Sequence, residues 1–179
     1  MTRLGRGARQ LALPILAALS FVQPALAKPP ALFETSLAEN ACRPATAAIA
    51  APYARRDLGV ERCPAPRGFR LLLVSSDANS WVDLRYGQWS WSGEQAVVYR
   101  DGAGMFAGVT GSVGWMRAAA GGWQGLILTV ASRDVDYARQ LAYLALRTTQ
   151  APCLLGVFAS RSAAQQALAS QQACAAALE

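Results

Sequence analysis

The chain has 179 residues, with 17 Lys and Arg against 11 Asp and Glu, four cysteines, five tryptophans and no histidine. The missing imidazole excludes Ser-His-Asp and Cys-His catalysis and His-based zinc sites, and it removes the usual general base near neutral pH. The formal charge of +6 does not argue for a nucleic-acid binder, which usually needs a dense basic face: three arginines fall in an N-terminal leader, and the rest are scattered along the sequence, with only Arg55 and Arg56 adjacent.

That leader comes first in the chain. Arg3, Arg6 and Arg9 form a positive segment, Leu11 to Val22 an apolar core, and Ala25-Leu26-Ala27 a small-x-small cleavage site. Residues 1–27 are therefore expected to be a secretory signal peptide, with Lys28 as the mature N-terminus. No cysteine follows the cleavage point, which argues against a lipoprotein. Residues 28–179 suit one exported domain with one sizeable core. They contain no run of about 18 apolar residues, so no membrane span is expected after signal removal. An Ala- and Arg-rich chain with Lys28 as its only lysine points to a high-GC bacterial genome, and export places the protein in the periplasm or beyond.

Lys28-Pro29-Pro30 reads as a stiff leader. Leu32, Phe33 and Leu37 have the spacing of a short amphipathic helical turn. Pro44 to Arg56 reads as a helix, with Pro44 at a first-turn position, alanines to propagate it and Pro52 to kink or end it. Leu58-Gly59-Val60 leads out, and Cys63 to Gly68 is a turn-rich connection. Phe69 to Ser75 is an apolar strand and Ser76 to Asn79 a turn. Ser80 to Tyr86 alternates, with Trp81, Asp83 and Arg85 on one face and Val82, Leu84 and Tyr86 on the other.

Gly87 and Gly93 bracket Trp89-Ser90-Trp91. Gln95 to Arg100 is expected as a further strand, and Asp101 to Gly108 as a glycine-rich loop. Gly111 to Ala118 and Trp123 to Val130 form a hairpin through Ala119-Ala120-Gly121-Gly122. Leu141 to Thr148 and Cys153 to Ala159 form another pair. A helix capped by Ser160 or Ser162 closes the chain, carrying Ala164, Ala167, Leu168, Gln171, Cys174, Ala175 and Leu178 on one face. The expected fold class is α+β: an antiparallel sheet of about six strands, with an N-terminal helical segment and a C-terminal helix packed on it.

Cys42, Cys63, Cys153 and Cys174 are an even set in an exported chain, which favours disulfides over a redox or metal role. Three connectivities are possible. A strand climbing roughly 20 Å from Cys153 and a helix descending roughly 20 Å from Arg161 bring Cys153 level with Cys174. Cys42 and Cys63 close by a similar helix-and-return path. Each loop then contributes roughly 3 kcal/mol in the chain-entropy treatment.

Chemistry-bearing patterns are sparse. Asp83 and Glu94 are the nearest carboxylate pair for glycoside cleavage, though a solvated or paired role is favoured for each. Gly102-Ala103-Gly104 lacks the spacing and the following helix of a dinucleotide fingerprint, and Gly111-Ser112-Val113-Gly114 lacks that of a nucleophile elbow. Asp134 and Asp136 alone do not make a cation site. No catalytic residue, metal site or cofactor is expected. The aromatics are the positive feature. Trp89 and Trp91 share a face of an extended segment, where paired indoles stack on sugar rings or anchor a partner, and Arg85 is near enough to offer a planar hydrogen-bonding fork. The competing reading buries at least one of the two indoles in the core.

Ser80-Trp81-Val82-Asp83-Leu84, Trp91-Ser92, Val97-Val98-Tyr99 and Val113-Gly114-Trp115, with the Cys153-Leu154-Leu155-Gly156 strand and its Ala-rich helix, loosely resemble small exported proteobacterial proteins of unknown function. That resemblance implies no activity. The expected function is a non-enzymatic binding or accessory protein of the cell envelope, its partner an envelope protein or a glycan. One rival is a secreted inhibitor of an envelope-attacking enzyme such as a lysozyme, presenting the Asp101 to Gly108 loop. A second is a small hydrolase using Asp83 or Glu94 with a raised pKa.

Overall fold

A computed structural model describes residues 30–101, 103–104, 106–133, 139–149, 151–170 and 172–175. The expected signal peptide, Lys28 and Pro29, Gly102, the Asp134 and Asp136 pair, Gln171 and the last four residues lie outside that set. The α+β expectation is corrected by the strand count: among the described residues ten strands form a single mixed sheet, and helix is confined to three short segments and one 3-10 turn.

In chain order the elements are β1 (Leu32–Ser36), β2 (Arg43–Pro44), α1 (Ala47–Ala50), a 3-10 turn (Ala54–Arg56), β3 (Gly59–Cys63), β4 (Phe69–Ser75), β5 (Ser80–Tyr86), β6 (Trp89–Ser92), α2 (Glu94–Val97), β7 (Phe106–Arg117), β8 (Trp123–Arg133), β9 (Arg139–Arg147), β10 (Cys153–Phe158) and α3 (Arg161–Ala169). The sheet runs β10-β9-β8-β7-β5-β4-β3-β2, with β1 also on β7 and β6 also on β5. Every pairing is antiparallel except β5 with β7, which is parallel through the register pair Ser80 and Gly108.

The long strand β7 makes this arrangement possible. Its register against β8 slips between Thr110 and Val113, around Gly111, whose φ of 75° suits glycine. Before the bulge β7 lies between β8 and β5, and after it between β8 and β1. The sheet folds over on itself there, so Phe69 of β4 meets Trp115 of β7 with ring centroids 5.2 Å apart. Between these two layers lies the main core, built from Leu71, Val82, Leu84, Val113, Trp115, Leu126, Leu128, Leu144 and Leu146, all essentially inaccessible to solvent. Trp115 satisfies its buried indole N–H by donating to Thr35 Oγ1 at 2.8 Å, so β1 is tied to the core by a side chain as well as by its ladder.

The opposite face of β7 to β10 holds a second cluster of Met116, Ile127, Ala145 and Leu155, covered by Ala164 and Leu168 of α3. Ser160 caps α3, accepting a hydrogen bond from the Ala163 N–H at 3.2 Å. Small residues beneath the helix let it approach. A Cβ at Gly125 would overlap both the Leu146 carbonyl and the Leu168 side chain.

Four local expectations change for stated reasons. Leu32 to Ser36 is a strand because its backbone completes the open edge of β7 beyond the bulge. The expected helix from Pro44 to Arg56 is two short turns, interrupted around Pro52, which has no N–H to give, while Pro44 belongs to β2. Glu94 to Val97 is helical, because Ala96 and Val97 are consecutive buried residues and no strand alternation survives there. The C-terminal helix stops at Ala169, short of Cys174. The chain beyond it returns along β10, with the Ala175 N–H bonded to the Leu154 carbonyl at 2.8 Å.

Both disulfides form, Cys42 with Cys63 and Cys153 with Cys174. The Arg43 and Arg62 register of β2 and β3 continues directly into Cys42 facing Cys63. Cys174 reaches Cys153 from the returning segment rather than from a helix face. Among the described residues no helix is long and apolar enough to cross a membrane.

Candidate functional site

The β5–β6 hairpin carries the residues singled out in the sequence. It turns through Gly87 and Gln88, with Gly87 at φ 54° as the tight turn requires. The register pairs Tyr86 with Trp89, Arg85 with Ser90, Leu84 with Trp91 and Asp83 with Ser92. Trp89 and Trp91 thus share a face with Leu84 and Tyr86, while Arg85 lies on the opposite face with Ser90 and Asp83. The two indoles differ in surroundings. Trp91 is half-buried and packs on the main core, with Gly93 leaving room for its ring. Trp89 is 44% exposed.

The face that bears Arg85 has two zones. In the first, residues 49–58 fold back over β4 and β5, placing Ile49, Tyr53 and Leu58 against the core. Asp83, buried in this zone, accepts hydrogen bonds from Tyr53 Oη at 2.6 Å and Ser92 Oγ at 2.7 Å. Burial, then the hydrogen bond to the Asp83 carboxylate, pushes the Tyr53 phenol up to about 12, with Arg85 opposing. Alongside, Arg56 grips Glu94 through both guanidinium nitrogens and lies 5.9 Å from the centroid of the Trp81 ring. That bond holds the Glu94 carboxyl below its ordinary value despite partial burial.

The second zone is open. Arg70 stands directly opposite Arg85 across β4 and β5, and Arg43 directly opposite Arg62 across β2 and β3. Arg62 is in turn opposite Leu72, two residues along β4 from Arg70 and on the same face. Four arginines therefore lie on one face of four adjacent strands. Arg62, Arg70 and Arg85 line a cleft of about 550 Å³, completed by Tyr86, Trp89 and Ser90 at the hairpin end. A second hollow of about 460 Å³ continues past Arg43 and Arg62 toward Ala65. Phe69 and Tyr86 stack at 4.4 Å behind the rim, which fixes the Tyr86 ring.

Among the described residues the ion pairs are Arg56 with Glu94 and Arg161 with Glu34, and neither reaches this row. No group of His, Cys, Asp and Glu that could hold a metal is present among them. The Asp101 to Gly108 loop is described in part. There Ala103 is buried, Gly104 packs against the Arg133 backbone, and β7 begins at Phe106.

Arg62 and Arg70 were not singled out in the sequence, yet one signal was present. Folding Phe69–Ser75 onto Ser80–Tyr86 about the Ser76–Asn79 turn puts Ser75 on Ser80 and hence Arg70 on Arg85. A like-charge pair at interior strand positions follows from that register alone. By fold and site, the chain is a disulfide-stapled, mostly β domain with an arginine-lined cleft beside an exposed tryptophan. Compared with models of known protein families, with curated proteins and with solved structures, it matches none.

Proposed function

We propose that this is an exported, non-enzymatic binding or accessory protein of the cell envelope, acting in the periplasm or outside the cell. The observation that carries the reading is the open cleft at the end of the β5–β6 hairpin, where Trp89 stays 44% exposed beside Arg62, Arg70 and Arg85. A concave site with an aromatic surface and a few convergent polar groups is the usual form of a small-ligand site. The two disulfides support an oxidising compartment, in keeping with the signal peptide read in the sequence.

The carboxylates give no support to the hydrolase alternative. Glu94 is tied to Arg56 with its pKa moved down, and Asp83 is engaged by two hydroxyl donors. A general acid for glycoside cleavage needs the opposite shift. The inhibitor alternative gains nothing from the described part of the Asp101 to Gly108 loop, which packs against the sheet.

The test is a tryptophan-fluorescence titration of the mature protein with fractionated, soluble envelope material, alongside Trp89→Phe. The expected result is a saturable change with at least one fraction in the natural protein, lost in the variant. A protein whose fluorescence and melting temperature respond to no fraction is not a binding protein of this kind.

A further inference from the structure

Resting on that reading, we infer that the cleft is an oxyanion site whose ligand carries a phosphate monoester, recognised by Arg62, Arg70 and Arg85 at the end of the β5–β6 hairpin.

The argument starts from a cost. Like charges directly opposite on paired strands destabilise a sheet, and among the described residues the register sets three such pairs opposite each other: Arg133 with Arg139 at the ends of β8 and β9 and, side by side on neighbouring strands, Arg43 with Arg62 and Arg70 with Arg85. Charged residues on edge strands guard against unwanted strand pairing. That accounts for Arg43 on the terminal strand β2. It does not account for Arg70 and Arg85, which are half-buried on interior strands, β4 lying between β3 and β5, and β5 between β4 and β7. The carboxylate nearest on that face, Asp83, already accepts from Tyr53 and Ser92. Nothing among the described residues forms an ion pair with Arg62, Arg70 or Arg85. The positive charge in the cleft is therefore available to something that enters it.

The chemistry of the visitor follows from the donors. Guanidinium groups are planar forks that bind carboxylate and phosphate oxygens two at a time. Three of them converging on one cleft match a group with three acceptor oxygens and close to two negative charges, as a phosphate monoester has at neutral pH. The Ser90 side of the hairpin shares their face. The cleft, at about 550 Å³, is on the scale of a whole small molecule or a lipid headgroup rather than a bare ion. Trp89 and Tyr86 border the cleft at its hairpin end, from strand positions on the other face from Arg70 and Arg85.

The experiment uses the mature oxidised protein and four probes at one ionic strength set with sodium chloride: inorganic phosphate, glucose 6-phosphate, glucose, and vesicles of phosphatidylcholine with or without phosphatidic acid. Melting temperature and calorimetric titration are read for the natural protein, Arg70→Gln and Arg62→Gln. A ligand that binds only the folded state raises the melting temperature saturably. The expected result is a saturable rise with phosphate and a larger one with glucose 6-phosphate or with phosphatidic acid vesicles, and none with glucose. Whichever of the last two is larger identifies a soluble or a lipid source.

Each arginine variant should bind at least ten-fold more weakly, while its own melting temperature stays unchanged or rises because a repulsion has been removed. Phosphate giving no more than chloride at equal ionic strength would overturn the inference. So would variants that lose stability and keep full affinity. An envelope fraction that still perturbs Trp89 but is not displaced by phosphate would leave the binding reading standing and remove only the phosphate.

Discussion

Two disulfides of equal span sit in unequal surroundings, which separates the contribution of chain entropy from that of packing. Cys42–Cys63 and Cys153–Cys174 each close a separation of 21 residues. In the chain-entropy treatment such a loop restricts the unfolded chain by about 3 kcal/mol, the same for both. The folded environments differ. Cys42 and Cys63 are 4% and 5% exposed in the main core. Cys174 lies at the surface, with Arg147 Nη2 2.9 Å from its sulfur. Replacing Cys42 and Cys63 by alanine also removes two sulfurs from a close-packed interior, each comparable to a buried methylene at about 0.8 kcal/mol, with a cavity contribution added.

The expected losses are about 5 kcal/mol for Cys42→Ala/Cys63→Ala and about 3 kcal/mol for Cys153→Ala/Cys174→Ala. Urea unfolding of the mature protein and both double variants, followed by tryptophan fluorescence, measures the difference. Equal losses, or a larger loss at Cys153 and Cys174, would show that burial does not separate the two bridges. In the native protein, graded reduction followed by iodoacetamide and peptide mapping should label Cys153 and Cys174 first.

Three further predictions follow from single residues. The Tyr53 phenol is pushed from 10.0 up to about 12 in the folded state, so the unfolded chain releases that proton first as pH rises. The stability linked to it is whole below pH 10 and lost between about pH 10 and 12. Tyr53→Phe should flatten alkaline unfolding in that window, cost about 1–2 kcal/mol at pH 7 by depriving Asp83 of a donor, and remove one phenol that titrates near pH 12 from an ultraviolet titration. Gly125→Ala drives a methyl group into the Leu146 backbone and the Leu168 side chain, and should cost about 2–3 kcal/mol with a drop in near-ultraviolet dichroism. A variant as stable as the natural protein would mean that α3 does not press on β8. Trp91→Ala should cost about 2–3 kcal/mol, less than a fully buried indole, and Trp89→Ala under about 1 kcal/mol. Equal thermal shifts in the two would contradict the difference in their burial.

The sequence by itself determined what short-range rules can carry. The β4–β5 hairpin is readable because apolar and alternating runs flank a turn of Ser and Asn, and its register follows from the turn. Cysteine number and the absence of histidine bounded the chemistry in the same way, since both are properties of composition. The face assignment of Asp83 and Arg85 against Leu84 and Tyr86 follows from a period of two and matches the register found.

What the tertiary structure decided were the segments whose partners lie far along the chain. Leu32 to Ser36 and Glu94 to Val97 exchanged their expected states. The first gains its ladder only from β7, about 80 residues on. The second packs Ala96 and Val97 under contacts no local pattern encodes. Alanine's helix propensity, a few tenths of a kcal/mol per residue, did not hold the chain end in a helix as far as Cys174, where a disulfide and a backbone bond to β10 fix its course. The arginine row belongs to the same class. It is assembled from four strands, and its cost is visible only once register sets each charge against another, because burial and juxtaposition are properties of pairs rather than of positions.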